Sequence, residues 1–323
     1  FMARSGLFKD LDAAFSWHPG DVNEVTTGTC AASLQLEYTF NGISAHAAGD
    51  PEHGRSALDA AELMNIGVQF LREHMDKSCS IHYAFTNVGG ISPNVVQSQA
   101  KLVYMIRGST VRKAKALLAR VNDVAKGAAL MTGTEVNIRQ IDGTSNTLSN
   151  TVLEKVLFSN LLSAPIPQYT QKEQEFAEKL KCTFGESVLP GQNTQTDPVL
   201  KKKILDWTDG GKKAINDFVI PYQPSCAYTP GSTDVGDVSW LTPTAQFTAV
   251  TWASGSPGHS WQNVSIGKHS IAHKGLLYAA KVLSGAVADL MSSSDILIDT
   301  RQEFNLETVD GYDCPIDESV KLF

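Results

Sequence analysis

Between residues 32 and 143, segments with the period of a strand and segments with the period of a helix follow one another in an order that constrains the fold more than any other feature. Residues 33–40 alternate apolar and polar side chains, the period-two pattern of a strand with one buried face. Residues 54–75 and 111–131 carry apolar side chains every three or four positions, as amphipathic helices do. Further strands are predicted at 80–86, 100–106 and 135–141. The order β-α-β-β-α-β predicts a ferredoxin-like domain, with both helices on one face of a four-stranded antiparallel sheet.

The rest of the chain carries the pattern of an α/β domain. A continuous apolar run at residues 247–252 is typical of a strand buried on both faces. Residues 185–230 are rich in turn-forming residues and predict an insertion, and residues 295–323 predict an acidic, loop-like tail. Helices are predicted at residues 148–162, 171–181, 199–207 and 268–291.

Length and composition indicate two globular domains that act on a small molecule. At 323 residues the chain is long for one domain, and we expect one domain from residues 1–31 and 144–323 and a second from residues 32–143. A net charge of -7 argues against a general nucleic-acid binder, because such proteins neutralise phosphates with Lys and Arg. RNA-recognition modules remain a weak alternative for the sheet, whose solvent-facing positions lack stacking aromatics.

The cysteines and the hydropathy suggest a cellular location. The 5 cysteines are scattered and form no Cys-x-x-Cys pair, which predicts reduced thiols and a cytoplasmic protein. The sequence has no uninterrupted run of about eighteen apolar residues, so we expect no membrane association.

Five polar residues stand at positions where ligands often bind. His18 lies at the end of a predicted strand, His259 lies in the loop after the buried strand, and His46 lies in a glycine-rich loop between a strand and a helix. Asn94 lies in a loop before the third small-domain strand, and Arg107 ends that strand with its side chain pointing away from the helices. An arginine fork suits a carboxylate. Position alone also allows structural interpretations: surface histidines, a turn asparagine and a solvated arginine.

Motifs spread over nearly the whole chain resemble the aminoacylase and glutamate-carboxypeptidase family of two-metal amide hydrolases. They are residues 12–19 (DAAFSWHP), 41–61 (NGISAHAAGDPEHGRSALDAA), 89–107 (beginning GGISPNVVQ), 231–240 (GSTDVGDVSW) and 255–262 (GSPGHSWQ). The resemblance implies a mixed-sheet α/β catalytic domain with an inserted ferredoxin-like dimerisation domain. It also implies two divalent metal ions, zinc or manganese, and hydrolysis of an amide bond that releases glutamate from p-aminobenzoyl-glutamate. The resemblance implies a homodimer and allows a second hydrolase subunit as a partner.

The resemblance also implies a role for each candidate residue. His18 and His259 resemble ligands of the two metals. His46 resembles the catalytic histidine that reaches into the partner subunit's active site and stabilises the developing oxyanion. Asn94 and Arg107 resemble the pair that binds the free carboxylate of the substrate.

The chain departs from the family pattern in one respect. The family uses an upstream His-x-Asp or Cys-x-His motif and a Glu-Glu pair that supplies the general base and a metal ligand. This sequence contains no Glu-Glu, and its only His-x-Asp, His74–Asp76, falls at the end of a predicted helix. We therefore expect that the missing motifs precede Phe1 in a longer natural chain. The alternatives are a related N-acyl amino acid or dipeptide hydrolase, or a non-catalytic dimerisation or binding fragment.

Overall fold

Three separate sheets organise the chain in the computed structural model, which describes residues 1–185 and 188–321. The strands are β1 (Ala14–Gly20), β2 (Glu24–Thr26), β3 (Thr29–Cys30), β4 (Ala32–Asn41), β5 (Ser80–Asn87), β6 (Gln99–Gly108), β7 (Glu135–Thr144), β8 (Tyr228–Thr229) and β9 (Thr244–Val250). The helices are α1 (Ala57–Arg72), α2 (Val111–Thr132), α3 (Thr151–Ser163), α4 (Gln171–Lys181), α5 (Pro198–Trp207), α6 (Val235–Ser239), α7 (Trp261–Ile266), α8 (Ser270–Ser292) and α9 (Ser294–Glu307).

The predicted ferredoxin-like unit is confirmed. Its sheet has the order β5-β6-β4-β7, with antiparallel neighbours throughout, and α1 and α2 pack on the face that carries the apolar residues. Ser56 and Thr110 begin the two helices, because each hydroxyl accepts a hydrogen bond from a backbone N–H three residues on. Gly133 ends α2 in the left-handed conformation, with φ 64°, where glycine carries no Cβ penalty.

The second sheet belongs to the α/β domain. Its order is β1-β9-β2, with β1 parallel and β2 antiparallel to β9. Helices α3 and α8 pack against it around a core that includes Phe247, Leu157 and Tyr278. Because β1 and β9 run in the same direction, the segments that follow both strands emerge at one edge of the sheet.

The predicted loop-like tail is wrong over its first half. Residues 294–307 form helix α9, because this segment packs onto α3 and is fixed there by hydrogen bonds. Glu303 accepts from the backbone N–H groups of Thr151 at 2.8 Å and Val152 at 3.1 Å, which have no acceptor within their own helix. The parts of our insertion and tail predictions that fall on residues 186–187 and 322–323 lie outside the described residues.

Helix α8 is, within the described chain, a segment long and apolar enough to cross a bilayer by length and composition. Its stripe of buried residues packs on β9 and α3, as the core helix of a globular domain does. About a third of this apolar segment is buried, and Leu276, Leu277 and Met291 are exposed.

Gly275 permits the close contact between α8 and β9. A Cβ at this position would lie 2.0 Å from the carbonyl oxygen of Val250, so an alanine must push the helix away from the strand. We expect Gly275→Ala to lower the free energy of unfolding by about 1–3 kcal/mol. Gly127→Ala in α2 is the matched control: its Cβ meets nothing within 4 Å. That change should stabilise the protein by up to about 1 kcal/mol. Denaturant titration of both variants measures these effects. An unchanged free energy of unfolding in Gly275→Ala would contradict this account.

Candidate active site

The loop that carries His46 is held by backbone contacts at both of its ends. Ile43 exchanges two backbone hydrogen bonds with Arg55, both at 2.9 Å, which closes the loop at its base. A Cβ on Gly42 would lie 2.0 Å from the Arg55 carbonyl oxygen, so this approach requires glycine. His46 itself forms a bridge with Val95 on a second loop. The sequence thus builds a rigid support for an exposed imidazole.

Hydrogen bonds within the loop determine which nitrogen of His46 is free. Its Nδ1 accepts from the backbone N–H groups of Ala48 at 3.2 Å and Gly49 at 3.0 Å. In the neutral imidazole the proton must therefore be on Nε2. The side chain is exposed, so the Nε2–H is available to an acceptor outside this protomer's small domain. This is the property that an oxyanion donor needs.

Asn94 belongs to the same end of the small domain as His46. The Asn94 carbonyl accepts from the backbone N–H of Ala47 at 2.9 Å, and Val96 donates to Ala45 at 3.0 Å. The Asn94 side chain is exposed. The loops 42–56 and 88–98 therefore form one unit, which we name the tip.

Arg107 lies at the opposite end of β6, where the small domain meets the α/β domain. Its Nη1 donates to the Pro230 carbonyl at 2.6 Å, and its Nη2 lies 3.1 Å from the Met105 sulfur. Its Nε is buried and has no hydrogen-bond partner among residues 1–185 and 188–321. The side chain is half-buried, so part of the guanidinium remains accessible to a ligand.

The structure does not bring Asn94 and Arg107 together within one protomer. Asn94 precedes the first residue of β6 and Arg107 is next to its last. At about 3.3 Å of rise per residue, Gln99 at the start of the strand and Arg107 lie roughly 25 Å apart. A single small substrate cannot contact both residues of one chain.

His18 lies in β1 with an exposed ring. Its Nδ1 lies 2.6 Å from the Pro19 carbonyl oxygen, which can only accept, so Nδ1 is the protonated nitrogen. This leaves the lone pair of Nε2 free, the arrangement found in histidines that ligate metals. The Trp252 ring stands edge-on to the imidazole, with centroids 6.3 Å apart.

His259 lies in the loop between β9 and α7, and its backbone has φ 53°, in the left-handed region. This loop is joined to the segment after His18. The Gly255 N–H donates to the Asp21 carboxylate at 2.8 Å, and the Thr251 and Trp252 N–H groups donate to the Gly20 carbonyl at 2.8 and 3.0 Å. The two predicted metal ligands therefore lie at the same edge of the sheet.

The donor chemistry of His18 and His259 fits a divalent metal in part. Both are imidazoles, which suit zinc and manganese sites, and His18 has the required tautomer. Within residues 1–185 and 188–321, one group of three ligating side chains converges, and it is Asp50, Glu52 and His53 on an exposed turn. His18 and His259 thus supply two donors to a site that needs further ligands.

Two acids near this edge, the half-buried Asp21 and the buried Glu24, were not predicted from the sequence. Burial raises the pKa of both carboxyls, and the pKa of Glu24 reaches about 7. Backbone hydrogen bonds act in the opposite direction: the one from Gly255 lowers the pKa of Asp21, and the one from Gln192 lowers that of Glu24. Asp21 positions the loop of His259, and Glu24 accepts from the Gln192 N–H with both oxygens, at 3.1 and 3.0 Å. The signal that could have found them is two acids between the apolar residues of a strand-end motif, HPGDVNEV.

The pKa of Glu24 predicts a pH dependence of stability. The folded chain keeps this proton between pH 4.5 and about 7, whereas the unfolded chain releases it. The contribution of Glu24 is therefore complete below pH 4.5 and is lost as the pH rises to 7. Glu24→Gln stays neutral, so we expect it to gain about 2–3 kcal/mol relative to wild type between pH 4.5 and 7.5. Denaturant titrations across this pH range test the prediction, with Glu62→Gln on the exposed face of α1 as the control. If the free energy of unfolding varied with pH in parallel for wild type and Glu24→Gln, the prediction would be contradicted.

Comparison with known proteins identifies the family. Residues 31–133 match the family model described as a peptidase dimerisation domain. The whole chain is similar to one of the subunits of p-aminobenzoyl-glutamate hydrolase from Escherichia coli (strain K12), with 39% identity over 99% of this chain and 67% of that protein. The chain belongs to the aminoacylase and glutamate-carboxypeptidase family of amide hydrolases.

Two further proteins match part of the sequence or the fold. Indole-3-acetyl-aspartic acid hydrolase of Enterobacter agglomerans is 31% identical over 43% of this chain and 33% of that protein. A crystal structure from methicillin resistant Staphylococcus aureus, assigned as an aminohydrolase, covers 88% of this chain and 60% of that one with a TM-score of 0.53. Its 13% identity shows the common fold alone. The chain thus spans about two thirds of one hydrolase of the family and a third of another.

Proposed function

We propose that this chain forms part of a metal-dependent amidohydrolase that releases glutamate from p-aminobenzoyl-glutamate. The observation that carries the proposal is the similarity along 99% of the chain to a protein named for that reaction. The geometry of His18, His46 and Arg107 supports it, because each presents the chemical group that the reaction needs.

The active site in this proposal is shared between two protomers. His46 and Asn94 lie on the tip, whereas Arg107 lies at the other end of β6. A second protomer would bring its tip to the first protomer's Arg107, His18 and His259. The roughly 25 Å between the first residue of β6 and Arg107 then separates two sites, and no single site has to span it.

The small domain offers a surface for this dimer. Strand β5 is an edge strand, and among the described residues its outer side pairs with no other strand. Four large apolar side chains are exposed beside this edge: Ile66, Phe70, Tyr83 and Phe85. Edge strands with exposed apolar residues are suited to pairing with another chain. A homodimer is our proposal for this surface. A second, different hydrolase subunit is the alternative, because the Escherichia coli relative is named as one subunit of its enzyme.

Each candidate residue of this chain would have its own role in the hydrolysis. His18 and His259 would hold two divalent ions, zinc or manganese, which when bound activate water and polarise the scissile carbonyl. The Nε2–H of His46 would donate to the carbonyl oxygen as negative charge develops on it, which favours the transition state over the ground state. Arg107 and the partner protomer's Asn94 would bind the carboxylate of the glutamate portion. We assign the general base to none of the described residues.

The proposal is tested by assaying the natural polypeptide, in its natural assembly, on a panel of amides. We expect p-aminobenzoyl-glutamate to be hydrolysed in preference to N-acetyl amino acids and dipeptides, and chelation of divalent metal to abolish the activity. Lack of preference for a C-terminal glutamate would contradict the proposed substrate. An N-acyl amino acid hydrolase of other specificity is the second candidate, favoured by the similarity to indole-3-acetyl-aspartic acid hydrolase.

A cytoplasmic location is likewise a proposal, supported by five cysteines that are all free thiols.

A further inference from the structure

Ile91 is the most exposed large apolar side chain of the tip, at 99% of its full accessibility. The backbone around it is held in a defined shape: Gly89 and Gly90 have φ of 85° and 116°, a region that side chains rarely adopt. The Gly89 N–H donates to the Asn87 side chain at 2.9 Å, and the Val95 N–H donates to the Ser92 carbonyl at 3.2 Å. Because the isoleucine is exposed, its side chain adds no buried apolar area to the folded state. The stability of the fold therefore does not explain why an isoleucine stands at this position.

Ile91 is one of four large apolar side chains exposed on the tip, the same surface that carries His46; the others are Ile43, Val88 and Val95. Val95, which bridges to His46, is 44% exposed, and Ile43 at the base of the same loop is 57% exposed. Single exposed apolar residues are ordinary, but a group on two joined loops marks a surface that is covered during function. The Nε2–H of His46 is therefore presented together with apolar groups.

The position of the scissile carbonyl indicates what these side chains would meet. This step rests on the proposed function, in which His46 donates to the carbonyl oxygen of an amide bound by the partner protomer. Groups beside His46 then contact what is attached to that carbonyl: the acyl portion on one side and the amino acid portion on the other. The amino acid portion carries carboxylates, for which Arg107 and Asn94 are suited. Apolar side chains fit the acyl portion, and two of the hydrolases that this chain resembles are named for aromatic acyl groups.

We propose that Ile91, with Val95 and Ile43, packs on the aromatic acyl group of the substrate in the partner protomer's site and selects for it over small aliphatic acyl groups. The ring places apolar surface directly beside the carbonyl that His46 serves in the proposed site. A contact with the partner's protein surface is the competing explanation, and the test separates the two.

The test measures Ile91→Ser in the natural assembly with p-aminobenzoyl-glutamate and N-acetyl-glutamate. We expect the ratio of kcat/KM for the aromatic over the acetyl substrate to fall about tenfold, the effect of a few buried methylenes in a pocket, through a higher KM and with little change in kcat. Ile91→Val should restore most of the ratio. Val309→Ser, an aliphatic residue 80% exposed in the turn after α9, is the control and should leave the ratio unchanged.

A second measurement does not need turnover. Calorimetric binding of p-aminobenzoyl-glutamate to the metal-depleted protein should weaken about tenfold in Ile91→Ser. An unchanged affinity, or no binding to the wild-type protein, would overturn the inference. An equal loss on both substrates, or dissociation of the dimer in sedimentation, would assign Ile91 to the protein interface and also overturn it. If wild type hydrolyses neither substrate yet the binding difference holds, the proposed hydrolysis fails, whereas the contact of Ile91 with the aromatic acyl group stands.

Discussion

Replacing His46 with alanine is expected to lower kcat for amide hydrolysis by about 10²–10³-fold, the usual effect of deleting one oxyanion donor. The Nε2–H is the group that is lost, because Nδ1 is already used by the backbone of Ala48 and Gly49. KM should change little and the proposed dimer should persist, since the side chain is exposed and the loop is held by backbone bonds. The measurement is steady-state kinetics on p-aminobenzoyl-glutamate, with the assembly state verified by sedimentation.

His53→Ala is the matched control for this prediction. His53 lies on the same loop, is also exposed to solvent and pairs with Asp50 at 2.6 Å. Its removal deletes an imidazole a few residues away from the proposed donor and should leave kcat near the wild-type value. A loss in His53→Ala as large as that in His46→Ala would indicate damage to the loop.

Mixed dimers test whether His46 acts across the interface. A protomer with His46→Ala keeps its sheet-edge histidines, and a protomer with His18→Ala keeps its tip. If the tip serves the partner's site, verified heterodimers of the two inactive variants should regain part of the activity. Absence of rescue would contradict the shared site.

Arg107→Lys is expected to reduce kcat/KM about 100-fold for substrates with a free carboxylate. A lysine keeps the charge but cannot reproduce the two parallel N–H donors of the guanidinium, and hydrogen bonds to charged groups are the strong ones. The effect should be much smaller on carboxamide analogues, which present no carboxylate to Arg107.

The carboxamide comparison also separates binding from structure. Arg107 donates to the Pro230 carbonyl, so it also joins the small domain to the α/β domain. A role limited to that contact predicts equal losses on carboxylate and carboxamide substrates. Met105→Leu is a suitable control, because it removes the sulfur beside Nη2 and leaves the guanidinium intact.

The sequence predicted the small domain closely because its elements are specified by local patterns. The alternation in β4 and the stripes in α1 and α2 repeat with the period of the structure they form, and Ser56, Thr110 and Gly133 mark helix ends by their own hydrogen bonds or φ. Those signals are read within one segment. The tail lacked such a stripe, and α9 forms because Glu303 and its neighbours find partners on α3.

The sequence by itself determined the order of elements, the family motifs and the candidate residues His18, His46, Asn94, Arg107 and His259. Only the tertiary structure decided how these residues are grouped. It joined His46 to Asn94 through the backbone of Ala47, connected the His18 and His259 segments through Asp21, and placed Arg107 at the far end of β6. The physical reason is that a side chain's neighbours depend on strand pairing and on buried hydrogen bonds between distant segments, which no local period encodes.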